Sequence, residues 1–397
     1  MTDAMAGKLA ARMGRLGTET AFEVLVRAKA LEAQGRDVIH LEIGEPDFDT
    51  PAHVIEAGCD ALRGGWTHYG PSAGQPDLRA AIAGYVNRSR GTDFAPEHVV
   101  VAPGGKPIMF FVILALVEAG DEAIYPDPGF PIYRSMIDFA GATAVPIPLR
   151  EEREFRLDVD ELAGLITPRT KLLIVNSPAN PTGGVLERGD LEAIARLAVE
   201  HDLVVLADEI YSELLFEGEH VSLATFPGMA ERTVILDGFS KTYAMTGWRL
   251  GYGLMPPPLV EAVNRLMVNS VSCTSVAVQR AGLAALTGAQ DCVAEMREAF
   301  RRRRDLVVDG LNAIPGISCV RPKGAFYAFP NITGTGMASK AFADALLQEH
   351  GVATLAGTAF GDHGEGYLRL STANSEANLS KALERIETMV RATAGPR

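Results

Sequence analysis

Short apolar runs, rich in β-branched residues, recur from about residue 99 to residue 255, with helically spaced stretches between them. The runs are VVVA at Val99–Ala102, EAIYPD at Glu122–Asp127, KLLIVNSP at Lys171–Pro178, LVVLADE at Leu203–Glu209, TVILDGFS at Thr233–Ser240 and RLGYGLM at Arg249–Met255. Amphipathic stretches such as Pro107–Glu118 and Glu187–His201 separate them. A strand with one face in water alternates apolar and polar residues, whereas a strand covered on both faces is apolar throughout. Continuous runs divided by helices therefore predict an α/β fold with a mainly parallel sheet between helical layers. After about residue 290 the pattern changes. A long charged helix over Asp291–Leu311 leads into AFYAFP and YLRLST, which read as a smaller α+β unit, and DVIHLEI at Asp37–Ile43 is placed to join it. The expected plan is a large α/β domain over 50–290 and a small α+β domain built from both chain ends, 1–49 and 291–397.

Composition narrows the class. The chain has 397 residues, 47% of them hydrophobic, enough for the cores of two domains. A formal net charge of -13 argues against a nucleic-acid partner, which calls for a basic face. The one basic run, Arg301–Arg304, falls in a helical pattern and is expected to be a solvated face beside its acidic neighbours. The four cysteines are scattered without CxxC spacing, and the eight histidines form no HExxH or clustered pair, so neither a disulfide framework nor a metal site is expected. No apolar run reaches membrane-spanning length without a charge, and MTDAMAGKLAARMGRLG lacks a signal-peptide core. A reducing cytoplasm is the expected compartment; a transit-peptide reading of that segment is the weaker alternative.

Ligands of parallel α/β sheets bind beyond the carboxyl ends of the strands, so the polar residues that end the runs matter most. Gly104-Gly105-Lys106 follows VVVAP, Asn180 lies in NSPANPTGG, and Asp208 ends LVVLAD with Tyr211 one helical turn later. Ser240-Lys241 follows TVILDGF, and Arg249 opens the next run. Each has an ordinary structural explanation: a tight turn for the glycines, a turn former in Asn180-Pro181, a helix cap in Asp208, a solvated charge in Lys241, an edge residue in Arg369. Their convergence on one sheet edge is the stronger reading. Gly251-Tyr252-Gly253 lacks the third glycine of a dinucleotide fingerprint and lies inside a strand pattern, so a nicotinamide dehydrogenase is excluded.

The segments EIGEPDFDTP, THYGPSAGQPDLR, NSPANPTG, ADEIYSEL, SKTYAMTGWRLGYG and YLRLSTANS, in this order, resemble the class I aminotransferases. These are the aspartate aminotransferase-like branch of fold-type I pyridoxal-phosphate enzymes. The resemblance implies a large domain with a mainly parallel, seven-stranded-type sheet plus a small α+β domain. It implies pyridoxal 5'-phosphate as cofactor and transfer of an α-amino group from an L-amino acid to a 2-oxo acid, with β-elimination on the same scaffold as the alternative. By the same resemblance Lys241 matches the lysine that carries the cofactor and shuttles a proton, and Asp208 the carboxylate facing its ring nitrogen. Asn180 and Tyr211 match the pair at the phenolic oxygen. Arg249, Ser240 and the Gly104-Gly105-Lys106 backbone match the phosphate cradle, and Phe130 an aromatic that stacks on the ring. Tyr69 matches a tyrosine that reaches the phosphate from a second subunit, which implies a homodimer. Arg369, aided by Gly44, matches the grip on the substrate α-carboxylate, with Asn180 beside it.

Side-chain selectivity transfers less well. MVNSVSCTSV at Met267–Val276 has no arginine of the kind that one branch uses for a distal carboxylate. Lys106 keeps the lysine that another branch uses for that purpose, but Phe22 and Glu23 stand where that branch has small or hydroxyl residues. Aspartate or glutamate is the default donor, with apolar, aromatic or basic side chains as alternatives.

Overall fold

The computed structural model describes residues 8–393. Residues 1–7, the start of the segment weighed as a transit peptide, and 394–397, at the end of the expected small domain, lie outside the described residues.

Seven strands make the central sheet: β1 (Val99–Ala102), β2 (Glu122–Asp127), β3 (Thr143–Pro148), β4 (Thr170–Asn176), β5 (Val204–Asp208), β6 (Thr233–Gly238) and β7 (Gly251–Leu254). Their order is β1-β7-β6-β5-β4-β2-β3, and only the pairs made by β7 are antiparallel. Both faces are covered, as the continuous runs require. Leu172 and Ile174 of β4 share an apolar cluster with Ile108 and Val112 of the helix Gly105–Leu116. Leu173 and Val175 turn the other way and cluster with Leu191 and Ile194 of the helix Arg188–Glu200. Each such side chain, fully buried, contributes roughly 1.5–3 kcal/mol.

Six strands match apolar runs in the sequence; β3 does not. Its residues TAVPIP lie at the sheet edge, exposed or half-exposed over the first four. Pro146 and Pro148 are tolerated there because an edge strand needs donors on one side only. Two of the run boundaries that differ from expectation carry expected site residues. The strand expected through Ser240 stops at Gly238, and Ser240 and Lys241 sit in a four-residue helix, Phe239–Thr242. Arg249, expected to open a strand, precedes β7 in a left-handed conformation with φ 55.

Residues from both chain ends meet around a second apolar cluster. Ile39–His40 pairs in parallel with Val352–Ala353. Ile39 and Leu41 bury with Val308 of the helix Asp291–Asn312, Phe342 and Ile386. Strand Leu368–Ser371, which carries Arg369, lies between Leu355–Ala356 and Tyr327–Ala328, antiparallel to both. The basic run on Asp291–Asn312 is not a uniformly solvated face. Arg301 and Arg302 are exposed beside Glu298. Arg303 and Arg304 are instead packed inward, with side chains 12% and 6% exposed, paired to Asp47 and Glu217 and stacked over Phe48 and Phe216. Among the described residues no helix is long and apolar enough to cross a membrane.

Candidate active site

β4 and β5 end side by side, with Asn176 the register partner of Asp208. Asn176 uses its whole amide to shape this edge. Its Nδ2 donates to the Asp208 carbonyl at 2.9 Å and to the Pro178 carbonyl at 3.2 Å, and its Oδ1 accepts from the Asn180 backbone N–H at 2.8 Å. The loop that holds Asn180 is thus tied to the strand that ends in Asp208. The Asp208 carboxylate is buried and accepts from Tyr133 Oη at 2.6 Å and from the Ile210 N–H at 3.3 Å. Burial pushes its pKa up to about 6 in spite of the Tyr133 hydrogen bond. A positive group opposite Asp208 would reverse that penalty.

Arg369 approaches from the small three-stranded sheet. Its Nη1 donates to Asn180 Oδ1 at 3.2 Å and its Nη2 to the Glu42 carbonyl. Its guanidinium lies over the rings of Tyr327 and Phe360, 4.6 and 4.9 Å from their centroids. The Nε proton is buried without a partner among the described residues. A guanidinium held flat with a free N–H is prepared for a planar anion such as a carboxylate. Tyr327 also bonds Tyr211 through their hydroxyls at 2.7 Å, and it restricts position 44. A Cβ on Gly44 would collide with the Tyr327 hydroxyl, so only glycine lets the backbone pass there.

Lys241 points into the same space. Its Nζ donates to the Gly44 carbonyl and lies 5.7 and 6.0 Å from the ring centroids of Phe326 and Tyr211. Burial, and then the positive charge of Arg369, lower its pKa to about 8. An amine so shifted is close to a proton-transfer group at neutral pH.

The third part of the site is built for an anion. Gly104 caps the helix Gly105–Leu116 with φ 101, and a Cβ there would strike the Arg249 guanidinium. The helix N-terminus and Arg249, whose Nη1 donates to the Thr246 carbonyl at 2.8 Å, are thereby brought together. Free N–H groups, the helix dipole, a guanidinium and the Ser240 hydroxyl form a suitable phosphate cradle.

A cavity of about 460 Å³ joins these parts, lined by Gly44, Gly105, Lys106, Phe130, Asn180, Asp208, Tyr211, Ser240, Lys241, Arg249 and Arg369. Gly104 does not line it; it packs against the Arg249 guanidinium that does. Phe130 meets Tyr133 edge to face, with centroids 5.7 Å apart. Tyr69 does not line the cavity; the residue is 89% exposed on the surface of this chain. Phe22 lines the mouth but Glu23 does not. Glu23 lies outside and accepts from Thr18 Oγ1 at 3.1 Å. The acidic residue that reaches the cavity from this segment is Glu19, which pairs with Lys106. Sequence reasoning missed Glu19, Tyr133, Asn176 and Tyr327. Asn176 alone had a usable signal, as the polar residue that ends the run KLLIVN.

The family described as aminotransferase class I and II matches residues 36–386. An aspartate aminotransferase of Pyrococcus abyssi is 44% identical over 360 residues, covering 90% of this chain and 92% of that protein. An arginine–pyruvate transaminase of Pseudomonas aeruginosa is 42% identical over 366 residues, covering 92% and 93%. The structure of a Thermus thermophilus aspartate aminotransferase with maleate superposes with a TM-score of 0.92 at 42% identity, covering 96% of this chain and 99% of that one.

Proposed function

This chain belongs to the class I and II aminotransferases, and from that premise we propose that it binds pyridoxal 5'-phosphate and moves the α-amino group of an L-amino acid to a 2-oxo acid. One observation supports this reading above the rest. An amine with a lowered pKa, a buried carboxylate and a guanidinium with a free N–H face one cavity that ends in a phosphate-type cradle. When bound, pyridoxal phosphate supplies an aldehyde that condenses with amines and a ring that takes up the electron pair left by Cα–H cleavage.

The protein's part is binding, orientation and proton movement. Arg249, Ser240 and the N–H groups of Gly105 and Lys106 would hold the phosphate, with Gly104 allowing the close approach. Asp208 would keep the ring nitrogen protonated, Asn180 and Tyr211 would bind the phenolic oxygen, and Phe130 would cover a ring face. Lys241 would be the covalent tether. Its Nζ would also be the base that takes the proton from the substrate Cα and later gives it up again. Arg369 and the Gly44 segment hold the α-carboxylate, a contact common to every α-amino acid.

We also propose a homodimer in which Tyr69 of each chain completes the phosphate cradle of the other. The support is the exposure of Tyr69 together with Leu62 and Trp66 in the same segment. The packing of Ile39 and Leu41 into one core with residues 307–390 supports a small domain drawn from 1–49 and 291–397 beside a large one over 50–290, although Leu16 and Gly17 pack against the large one. Four free cysteines suit a reducing cytoplasm.

Borohydride treatment of the holoenzyme followed by peptide mapping tests the assignment, and the label is expected on Lys241. An amino acid should change the absorption of the bound cofactor and a 2-oxo acid should restore it. Ammonia release without such recovery would identify a lyase, and a label on another residue would overturn the site.

A further inference from the structure

With the groups assigned to the cofactor and the α-carboxylate set aside, three charged side chains remain on the cavity wall among the described residues: Glu19, Glu45 and Lys106. They are not independent. Lys106 Nζ and Glu19 Oε1 form an ion pair, with the lysine side chain 45% and the glutamate 17% exposed. The same ammonium lies 5.5 Å from the centroid of Phe130 and 6.0 Å from that of Phe22. Glu19 immediately precedes the helix Thr20–Glu32 but makes no capping hydrogen bond, so its carboxylate is directed to the cavity and not to the helix. Its negative charge also reaches inward, favouring the protonated forms of Lys241 and Arg369. Glu45 Oε2 accepts from Thr246 Oγ1 at 2.8 Å, and among the described residues it has no cation as a hydrogen-bond partner.

The balance among these three is two carboxylates against one ammonium. A free Lys106 would attract a substrate's distal carboxylate. Paired with Glu19 it offers no net charge, and an incoming carboxylate meets Glu19 and Glu45 as like charges. An incoming cation finds the opposite. A carboxylate has lone pairs for more than one donor, so Glu19 can bond Lys106 and a second cation together. Phe22 and Met109 give an apolar path for a methylene stem, and Phe22 a ring face for the charge at its end.

We propose that Glu19 is a specificity-determining residue that withdraws Lys106 from distal carboxylates and receives a distal ammonium or guanidinium, so that the preferred donor is a basic L-amino acid. This rests on the aminotransferase reading above and replaces the default of an acidic donor.

The test uses holoenzyme in two measurements. Single-turnover rates give kcat/KM for L-arginine, L-lysine, L-aspartate and L-glutamate. Absorbance titrations give Kd for two probes without an amine to transfer: maleate, a dicarboxylate, and δ-guanidinovalerate, which is arginine without its α-amino group. In the wild type the basic donors should exceed the acidic ones by about tenfold or more, and δ-guanidinovalerate should bind more tightly than maleate. In Glu19→Gln, which leaves Lys106 unpaired, the arginine-to-aspartate ratio and the matching Kd ratio should each fall by about tenfold or more. Glu19→Asp, which keeps the charge, should keep the basic preference. Ratios within one preparation cancel any loss of active enzyme. A wild-type preference for the dicarboxylates, or ratios unmoved by Glu19→Gln, would overturn the proposal. If no amino acid is converted, transamination itself fails, and the two titrations still decide the role of Glu19.

Discussion

Arg90→Met should be among the most damaging single substitutions in this chain, although Arg90 does not line the cavity. The Arg90 side chain is 1% exposed and its partners Glu209 and Asp237 are 5% and 2% exposed. Its Nε donates to Glu209 at 2.7 Å, and its Nη2 donates to Ser212 at 2.8 Å and to Asp237. Against their burial, His220 and Arg90 hold the Glu209 pKa down to about 2; burial raises that of Asp237 to about 6 even with Arg90 beside it. Methionine fills similar space but leaves the buried Asp237 carboxylate without its cation and Glu209 with His220 in place of two partners. Breaking a buried ion pair in this way costs about 3–5 kcal/mol, against a whole-protein stability of about 5–15 kcal/mol. Glu209 follows Asp208, and Asp237 lies four residues before Lys241, so the loss should also disturb the strand ends that carry the site. Urea unfolding followed by circular dichroism measures the cost. Adding Glu209→Gln and Asp237→Asn to Arg90→Met should recover much of it, because the unpaired charges are then gone. A cost below about 1 kcal/mol, or no recovery in the triple variant, would refute the reasoning.

Two pH effects follow. The Asp208 pKa is raised, so its contribution to stability is present below about pH 4 and lost as pH rises through about 6. The stability difference between wild-type apoprotein and Asp208→Asn should therefore fall by about 2–3 kcal/mol across that window, and a flat difference would exclude it. His40 bonds Glu42 at 2.7 Å and Glu32 at 3.1 Å; the Glu42 hydrogen bond is the main cause that raises its pKa, against a partial burial that lowers it. That stabilisation is present below the ordinary histidine value and lost as pH climbs past the raised one. Thermal melts should show His40→Gln costing more at about pH 5.5 than at about pH 8.5, and equal losses would count against it.

Most strands were legible because a strand covered on both faces leaves an uninterrupted apolar run, as in Leu172–Val175. β3 was not, since its prolines and exposed first residues match no run. Strand direction was also hidden: RLGYGLM reads the same whether β7 runs with the sheet or against it. The basic run misled for a related reason. Four arginines in a row read as solvated, and the partners that bury Arg303 and Arg304 come from segments far away in the chain. At the site, the polar residues at strand ends could be picked out by position, and most of them line one cavity. Tyr133, Tyr327 and Glu19 could not. Their roles come from contacts with Asp208, Gly44 and Lys106 that no local pattern encodes. The helix start at Thr20 sends Glu19 inward and leaves Glu23 outside, a choice of phase that the sequence alone left open.

The prolines of β3 have a further effect at the rim of the sheet. Thr143 and Leu149 donate inward to the carbonyls of Asp121 and Asp127, so the alternate positions 144, 146 and 148 direct their nitrogens outward. Two of these three are proline and have no hydrogen to offer. At the opposite rim, the Val101 N–H donates to the Ala73 carbonyl at 2.9 Å and the Thr274 hydroxyl donates to the Val101 carbonyl at 3.2 Å. One border is short of donors and the other is already occupied, so a stray extended peptide finds little to zip onto. Crowded chains of this protein are thereby kept from growing into one another by strand addition.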